Sequence, residues 1–460
     1  MSKTSTSLFK TIRAEQIMGL GFIAMILIGT VLLHLPISAA DGLATPWSDA
    51  LFTAGTATCV TGLVTVTTAV HWSLFGQIVI LFLIQLGGLG IITMVTFMMI
   101  IGGKRISLRS RKLISDACNL DQLHGAVGVI RGVVIMTLVT ELIGTIPYAI
   151  VFIPEFGPAK GLFSAFFNAV SAFCNAGMDI VAENSLANYV SNPIININTM
   201  LIIIAGGLGY LVWFDLGKGI KKAVQKRSVK GFWKNLNLHS QLVIVVTTVL
   251  IFGGAILILL FDWGHASSLG PLSVPEKIQA ALFQSVTTRT AGFETIPQAG
   301  FTDATAMVSA VLMFIGGSPF GTAGGMKTTT VAIMVLACLA YYRGEDSAVV
   351  NSRAIRSADV RAAMAVITSG VLMSIIGIIA LSLCTGADFL DVFYEVLSGV
   401  NTVGLTRGIT STFNVPAKIV MVIVMFAGRL GPVTLAMAMT RRANSAQKSI
   451  RYPEKRIMIG

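Results

Sequence analysis

The chain has 460 residues, of which 54% are apolar and 12% charged, with a formal net charge of +12. A water-soluble core of this size does not need so much apolar surface, and apolar stretches of about 18 or more residues recur, so the composition excludes a soluble globular protein and indicates a polytopic membrane protein. The five cysteines (Cys59, Cys118, Cys174, Cys338, Cys384) and five histidines are scattered, so neither a disulfide framework nor a metal or enzymatic cluster follows.

In chain order, long apolar spans are predicted at 17–35, 74–101, 133–153, 197–214, 242–261, 306–339, 362–383 and 419–439. Between the members of each consecutive pair lies a shorter run. These open at Ala50-Leu51-Phe52, Ala165-Phe166-Phe167, Ala281-Leu282-Phe283 and Val392-Phe393-Tyr394, and close on Gly62, Gly177, Gly292 and Gly404. The glycines are 115, 115 and 112 residues apart, so a quarter-chain unit is repeated. Runs of roughly ten to fourteen residues cannot cross a hydrocarbon core of about 30 Å, and re-entrant helices fit them better. The predicted fold is an all-α polytopic membrane protein. It has four pseudo-symmetric helix–pore-loop–helix repeats, with eight transmembrane helices and four re-entrant pore helices around one central pore. The repeats are drawn at 1–110, 111–235, 236–355 and 356–460.

Charge supports the same topology. Lys and Arg gather in alternate connections: Lys3, Lys10 and Arg13, then 104–112, 218–234, 343–361 and 441–456. The connections beside the glycine loops carry Asp and Glu instead, including Asp49, Asp179, Glu294 and Asp391. The positive-inside rule then places both termini in the cytoplasm and the glycine loops toward the outside. Topology accounts for most of the basic charge without any nucleic-acid partner, while 217–234 could also rest on anionic lipid.

A dehydrated cation needs a cage of oxygens, which backbone carbonyls supply. Lining a narrow passage with them forces dihedrals that glycine tolerates, and the pore-helix dipoles favour a cation in the cavity beyond. The candidate filter is therefore Val60, Thr61, Gly62; Asn175, Ala176, Gly177; Thr290, Ala291, Gly292; and Thr402, Val403, Gly404. Simple close packing of helices at glycine explains neither the constant period nor the re-entrant setting.

A second glycine pattern follows each loop: Gly87-Gly88-Leu89-Gly90, Gly206-Gly207-Leu208-Gly209, Gly316-Gly317 and Gly428-Arg429-Leu430-Gly431. Close helix packing is the favoured role for the first two. In the third unit the run Gly316-Gly317-Ser318-Pro319-Phe320-Gly321-Thr322-Ala323-Gly324-Gly325-Met326-Lys327 cannot hold a regular helix. Its Gly316, Gly317, Ser318, Gly321, Thr322, Gly324, Gly325 and Lys327 are read as a plug. Arg429, in mid-span and needing partners, is read as its counterpart. A static knot is the alternative. Glu141, within the third span, is left without a mechanism.

These residues, taken in order with Leu35-Pro36-Ile37-Ser38 and Ile450-Arg451-Tyr452-Pro453, resemble KtrB-type membrane subunits of the bacterial Ktr potassium-uptake systems, in the Trk/Ktr/HKT superfamily. The resemblance implies K⁺ as the permeant ion, Na⁺ as a possible activator and a location in the bacterial cell membrane. It also implies a homodimer on a cytosolic ring of KtrA-type RCK subunits that bind ATP and ADP, with no nucleotide on this chain. Cys59, Cys174 and Met178 depart from the usual filter-flanking residues but leave the backbone reading intact. One glycine per loop predicts weaker K⁺/Na⁺ discrimination than a dedicated potassium channel. The rival readings are a TrkH-like or less selective Na⁺/K⁺ translocator and an alternating-access symporter, which should show inverted repeats.

Overall fold

The computed structural model describes residues 14–90, 93–94, 96–97, 126–226, 232–351 and 353–431. The N-terminal basic residues, the basic segment 104–112, Cys118 and everything after Gly431, including 441–456 and the Ile450-Arg451-Tyr452-Pro453 motif, lie outside the described residues.

Each quarter of the chain opens with a long apolar helix and continues into a shorter one. The first unit comprises α1 (Ala14–His34), α2 (Trp47–Cys59) and α3 (Leu74–Leu89). The second comprises α4 (Ala126–Phe156), α5 (Pro158–Cys174), α6 (Pro193–Gly207) and α7 (Tyr210–Lys226). The third holds α8 (Leu238–Asp262), α9 (Val274–Thr287), α10 (Asp303–Phe314) and α11 (Thr328–Tyr342). A minimal hairpin, β1 (Val349–Val350) with β2 (Arg353–Ala354), precedes the fourth, made of α12 (Ser357–Ser382), α13 (Phe389–Val400) and α14 (Val415–Leu430).

Among the described residues, α1, α4, α8 and α12 are long and apolar enough to cross a membrane. Their outward faces, such as Leu20, Leu27 and Ile28 on α1 or Val249, Phe252 and Ile256 on α8, are exposed and apolar, as lipid requires. The short helices α2, α5, α9 and α13 form the interior, with residues such as Phe52, Phe167, Phe283 and Tyr394 fully buried. Their ends are set by local chemistry. Pro158 begins α5 and a Ser273/Glu276 capping box begins α9, while α2 and α5 stop at residues in the left-handed region, Val60 and Asn175.

The units close into a ring. The helix after each glycine loop packs on the pore helix of the next unit: α3 on α5, α6 on α9, α10 on α13, and α14 back on α2.

The long apolar spans carry breaks, of which the sequence predicts only the one in the third unit. The span read at 197–214 is two helices, α6 and α7, bent by 98°. That at 74–101 is interrupted at Gly90, which takes a φ of 78° after α3 ends at Leu89, with helix again at 93–94 and 96–97. That at 306–339 is split into α10 and α11 where the glycine-rich run predicts it, and α14 ends at Leu430 with Gly431 at a φ of 83°, the remainder of 419–439 lying outside the described residues. Gly90, Gly209 and Gly431, all at positive φ, tolerate the turns after α3, α6 and α14, whereas α10 ends at Ile315 with a φ of −93° ahead of Gly316 and Gly317.

One polar clamp fixes the entry to α10. Buried Asp262, at the end of α8, accepts hydrogen bonds from Ser268 Oγ (2.8 Å), Thr302 N (3.2 Å), Thr302 Oγ1 (3.1 Å) and Thr305 Oγ1. Replacing it with alanine leaves several buried donors unpaired, each worth about 1–3 kcal/mol. Asp262→Ala should therefore lower the thermal midpoint of the detergent-purified protein sharply, with Asp262→Asn intermediate.

Candidate functional site

The four glycine loops meet one another in cyclic order. A Cβ placed on Gly62 would overlap the Ala176 carbonyl oxygen, one on Gly177 that of Ala291, one on Gly292 that of Val403, and one on Gly404 that of Thr61. Each glycine has a positive φ (99°, 65°, 79° and 98°). Two residues earlier, Val60, Asn175, Thr290 and Thr402 are also left-handed, at 56°, 57°, 71° and 51°. The same sharp turn is thus made four times. Gly62 N–H donates to Thr56 Oγ1 (2.9 Å) and Gly404 N–H to Ser398 Oγ (3.0 Å), both on the preceding pore helix. All twelve residues of the candidate filter are brought to this ring and are buried.

Side-chain oxygens collect at the same place. Thr58 and Thr61 Oγ1, Asn175 Oδ1, Thr290 Oγ1 and Thr402 Oγ1 are buried without a hydrogen-bond partner. Arg289 is turned away from the ring and donates to Thr247 Oγ1 on α8 (3.5 Å).

The second set of glycines lets the following helix press on the end of its own pore helix. A Cβ on Gly87 would strike the Thr58 carbonyl, one on Gly206 that of Phe173, and one on Gly428 that of Val400, each four residues before the filter glycine. Cys174 fits against Gly88, which explains a small side chain at that flanking position.

Residues 315–327 pack against one end of the ring. Gly316 lies against the Thr290 side chain and Gly324 against Asn401 and Thr402. The helix breaks satisfy each other there. Gly207 and Gly206, whose carbonyls are freed by the end of α6, accept from Ser318 N (2.8 Å) and Thr322 N (3.2 Å), and Tyr210 N at the start of α7 donates to Phe320 O (2.9 Å). Gly317 O accepts from Thr328 N (3.0 Å), and Ser318 and Thr328 share a hydroxyl contact of 2.9 Å. Lys327 Nζ turns back to Ala323 O (2.8 Å) and Gly324 O (3.4 Å). Arg429 Nη1 donates to Thr322 O (2.8 Å), while Nη2 reaches Gly88 O (3.2 Å) and Gly87 O at the end of α3. Beside this contact is a cavity of about 390 Å³, lined by Arg429, Lys327, Asn401, Tyr210, Phe22 and the glycines of the loop. Two basic side chains, Arg429 and Lys327, thus line the cavity together with the ends of α3 and α14.

A match to the family model "Cation transport protein", TrkH, runs over residues 5–449. The chain belongs to the TrkH family. It is 35% identical over 445 residues to the Ktr system potassium uptake protein B of Bacillus subtilis, covering 97% of this chain and 96% of that one. It is 36% identical over 457 residues to the potassium/sodium uptake protein NtpJ of Enterococcus hirae, covering 98% of each. The crystal structure of the potassium transporter TrkH from Vibrio parahaemolyticus superposes with a TM-score of 0.68 at 21% identity, over 91% of this chain and 84% of that one, so the two share a fold.

Partners that the sequence does not single out are the carbonyls of Gly87, Gly88, Gly206 and Gly207 and the ring of Tyr210. Their signal is positional: Gly87, Gly206, Gly316 and Gly428 each follow their filter glycine by 24–29 residues. Glu141 is buried, with Gln85 Nε2 at 3.4 Å from Oε2 and no partner for Oε1.

The ring's other end carries two carboxylates, in the loops that follow the re-entrant helices. Asp179 and Glu294 stand two residues after Gly177 and Gly292, joined through Ser185, whose Oγ accepts from Glu294 N (3.3 Å). Burial pushes the Asp179 carboxyl up to about 6, against hydrogen bonds from Ser185, Val181 and Ala182. Burial also pushes Glu294 up to about 7, with the negative charge of Asp179 adding to it and hydrogen bonds from Gln298 opposing it. Both folded values exceed the ordinary ones, so the native state holds more protons than the unfolded chain. Their stabilising contribution is complete below about pH 4 and is lost as pH rises through about 7. The thermal midpoint should therefore fall between about pH 5 and about pH 8, and Glu294→Gln should flatten the upper half of that profile.

Proposed function

We propose that this chain is the ion-translocating subunit of a K⁺ uptake system, with a channel-like filter at the glycine ring and a gate at 316–327 and Arg429. The observation that carries the reading is the closed contact of Gly62, Gly177, Gly292 and Gly404 with one another's loops, which puts backbone carbonyls from four quarters of the chain around one axis. A family of cation transport proteins, and relatives named for potassium uptake, supply the ion. Unpartnered buried hydroxyls beside the ring suit the replacement of an ion's hydration shell.

The gate blocks by bulk and by charge. Loop 316–327 fills the passage at one end of the ring, and Lys327 and Arg429 oppose a cation until they move. The four quarters 1–110, 111–235, 236–355 and 356–460 act as one translocating unit in the bacterial cell membrane, termini in the cytoplasm and the glycine loops outward. No enzymatic step belongs to it. Control comes from a cytosolic KtrA-type ring that binds ATP and ADP, beneath a homodimer of this chain in contact with membrane lipid; the chain itself binds no nucleotide.

A less selective Na⁺/K⁺ translocator is the second reading. It is favoured by the single glycine per loop and by the relative named for potassium/sodium uptake. Na⁺ would then be cargo as well as activator. An alternating-access symporter is disfavoured, because helices break after the glycine loop in the same sense in successive units rather than in inverted pairs.

The test is growth of a K⁺-uptake-deficient bacterium at low external K⁺, expressing the chain with a KtrA-type subunit as wild type and as Gly292→Ser. Wild type should rescue growth, and the serine, colliding with the Val403 carbonyl, should abolish rescue or admit Na⁺. Equal rescue by both would refute the filter at Gly292.

A further inference from the structure

Thr322 sits where three units meet, and every polar group it has is used. Its N–H donates to Gly206 O (3.2 Å) on α6, and its carbonyl accepts from Arg429 Nη1 (2.8 Å) on α14. Its hydroxyl donates to Phe173 O (2.7 Å) and accepts from Asn175 Nδ2 (3.2 Å). Phe173 is in the last turn of α5 and Asn175 opens the second filter segment, four and two residues before Gly177.

The direction of these bonds follows from counting protons. A threonine hydroxyl has one, and here it goes to the Phe173 carbonyl. The atom that Asn175 presents to Thr322 must then be its NH₂ group, which fixes the amide and leaves Oδ1 as the buried, unpartnered oxygen at the ring. Asn175 also occupies the strained left-handed turn of its loop, at a φ of 57°. One side chain of the plug thus pins a carbonyl and an amide at the base of the second filter loop. Toward the third and fourth loops the plug makes close packing through Gly316 and Gly324. A loop held by hydrogen bonds loosens when they are withdrawn; a loop held by packing only gains room.

We propose that Thr322 is a positioning residue for the second filter loop, so that the gate and the filter are one mechanical unit: withdrawing the plug releases Phe173 O and Asn175 and relaxes cation discrimination. The link works in both directions. An ion that orders the Asn175 turn favours the seated plug, and a regulator that pulls on the plug, or on Arg429, alters the filter it lies against. This rests on the filter-and-gate reading above.

The experiment compares Rb⁺ with Na⁺ uptake by the full-length protein reconstituted in liposomes, as wild type, Thr322→Val, Thr322→Ser and Gly292→Ser. Valine keeps the shape and removes both hydroxyl bonds, so the Rb⁺/Na⁺ ratio should fall at least about twofold, and by up to about tenfold for each net hydrogen bond lost. Serine keeps the hydroxyl and should restore the ratio to within about twofold of wild type. Asn175→Ala should shift the ratio less when made on Thr322→Val than on wild type, because the valine has already removed the Asn175 contact. If Thr322→Val is not recovered as a monodisperse protein, Thr322→Ala, which also lacks the hydroxyl, carries the same comparison. A ratio unchanged in the valine variant, whether or not the flux changes, overturns the coupling, as does a serine variant no better than valine. If Gly292→Ser shifts the ratio while Thr322→Val does not, the coupling alone fails. If neither shifts it, the filter reading fails as well.

Discussion

A backbone that leaves the helix inside a membrane must find partners for its carbonyls and amides without help from water, and this constraint organises the centre of the molecule. Breaks between α6 and α7 and between α10 and α11 free carbonyls and N–H groups, and each supplies what the other lacks. Ser318 N and Thr322 N reach Gly207 O and Gly206 O, and Tyr210 N reaches Phe320 O. Arg429 then serves the carbonyls that this exchange leaves over, on Thr322 and at the end of α3. Its charge is met by three carbonyl dipoles and by the neighbouring cavity, which spares an arginine at the end of α14 the several kcal/mol of lying in hydrocarbon.

The same economy of partners explains the glycines. At Gly62, Gly177, Gly292 and Gly404 a side chain would intrude on the neighbouring loop's carbonyl, while at Gly87, Gly206 and Gly428 it would separate a helix from its own pore helix. The first group sets the width of the ring and the second sets how firmly its walls are backed. The ring is thus defined by backbone contacts, which is why Cys59, Cys174 and Met178 can stand beside it without altering its outline.

Much of this was legible in the chain. The glycine period, the apolar spans and the glycine-rich run at 316–327 are compositional facts, and they suffice for the fold class and for most of the residues at the ring. What stayed hidden was direction. The apolar run across 197–214 continues straight through Leu208 and Gly209, so hydropathy reads one span where the backbone turns by 98°. The sequence likewise presents the third unit as the broken one, because proline and five glycines announce that break and a single Gly-Gly-Leu-Gly does not. The bonds of Thr322 join residues 147 and 149 positions apart in the chain, and no local pattern reports such a pairing. Asp179 and Glu294 look like ordinary acidic loop residues until folding sets them beside one another.

Covalent joining of the four quarters has an evolutionary consequence. In an assembly of four identical chains, any loop placed on the axis is present four times, and four copies of the 316–327 segment with four of Arg429 would not fit beneath one ring. Within one chain each quarter is free to differ from the others. The second can give up carbonyls, the third can extend a segment across the axis, and the fourth can supply the arginine that holds it. The asymmetry is inherited as a unit, so a change in one quarter is answered in another on the same gene product rather than imposed on all four at once.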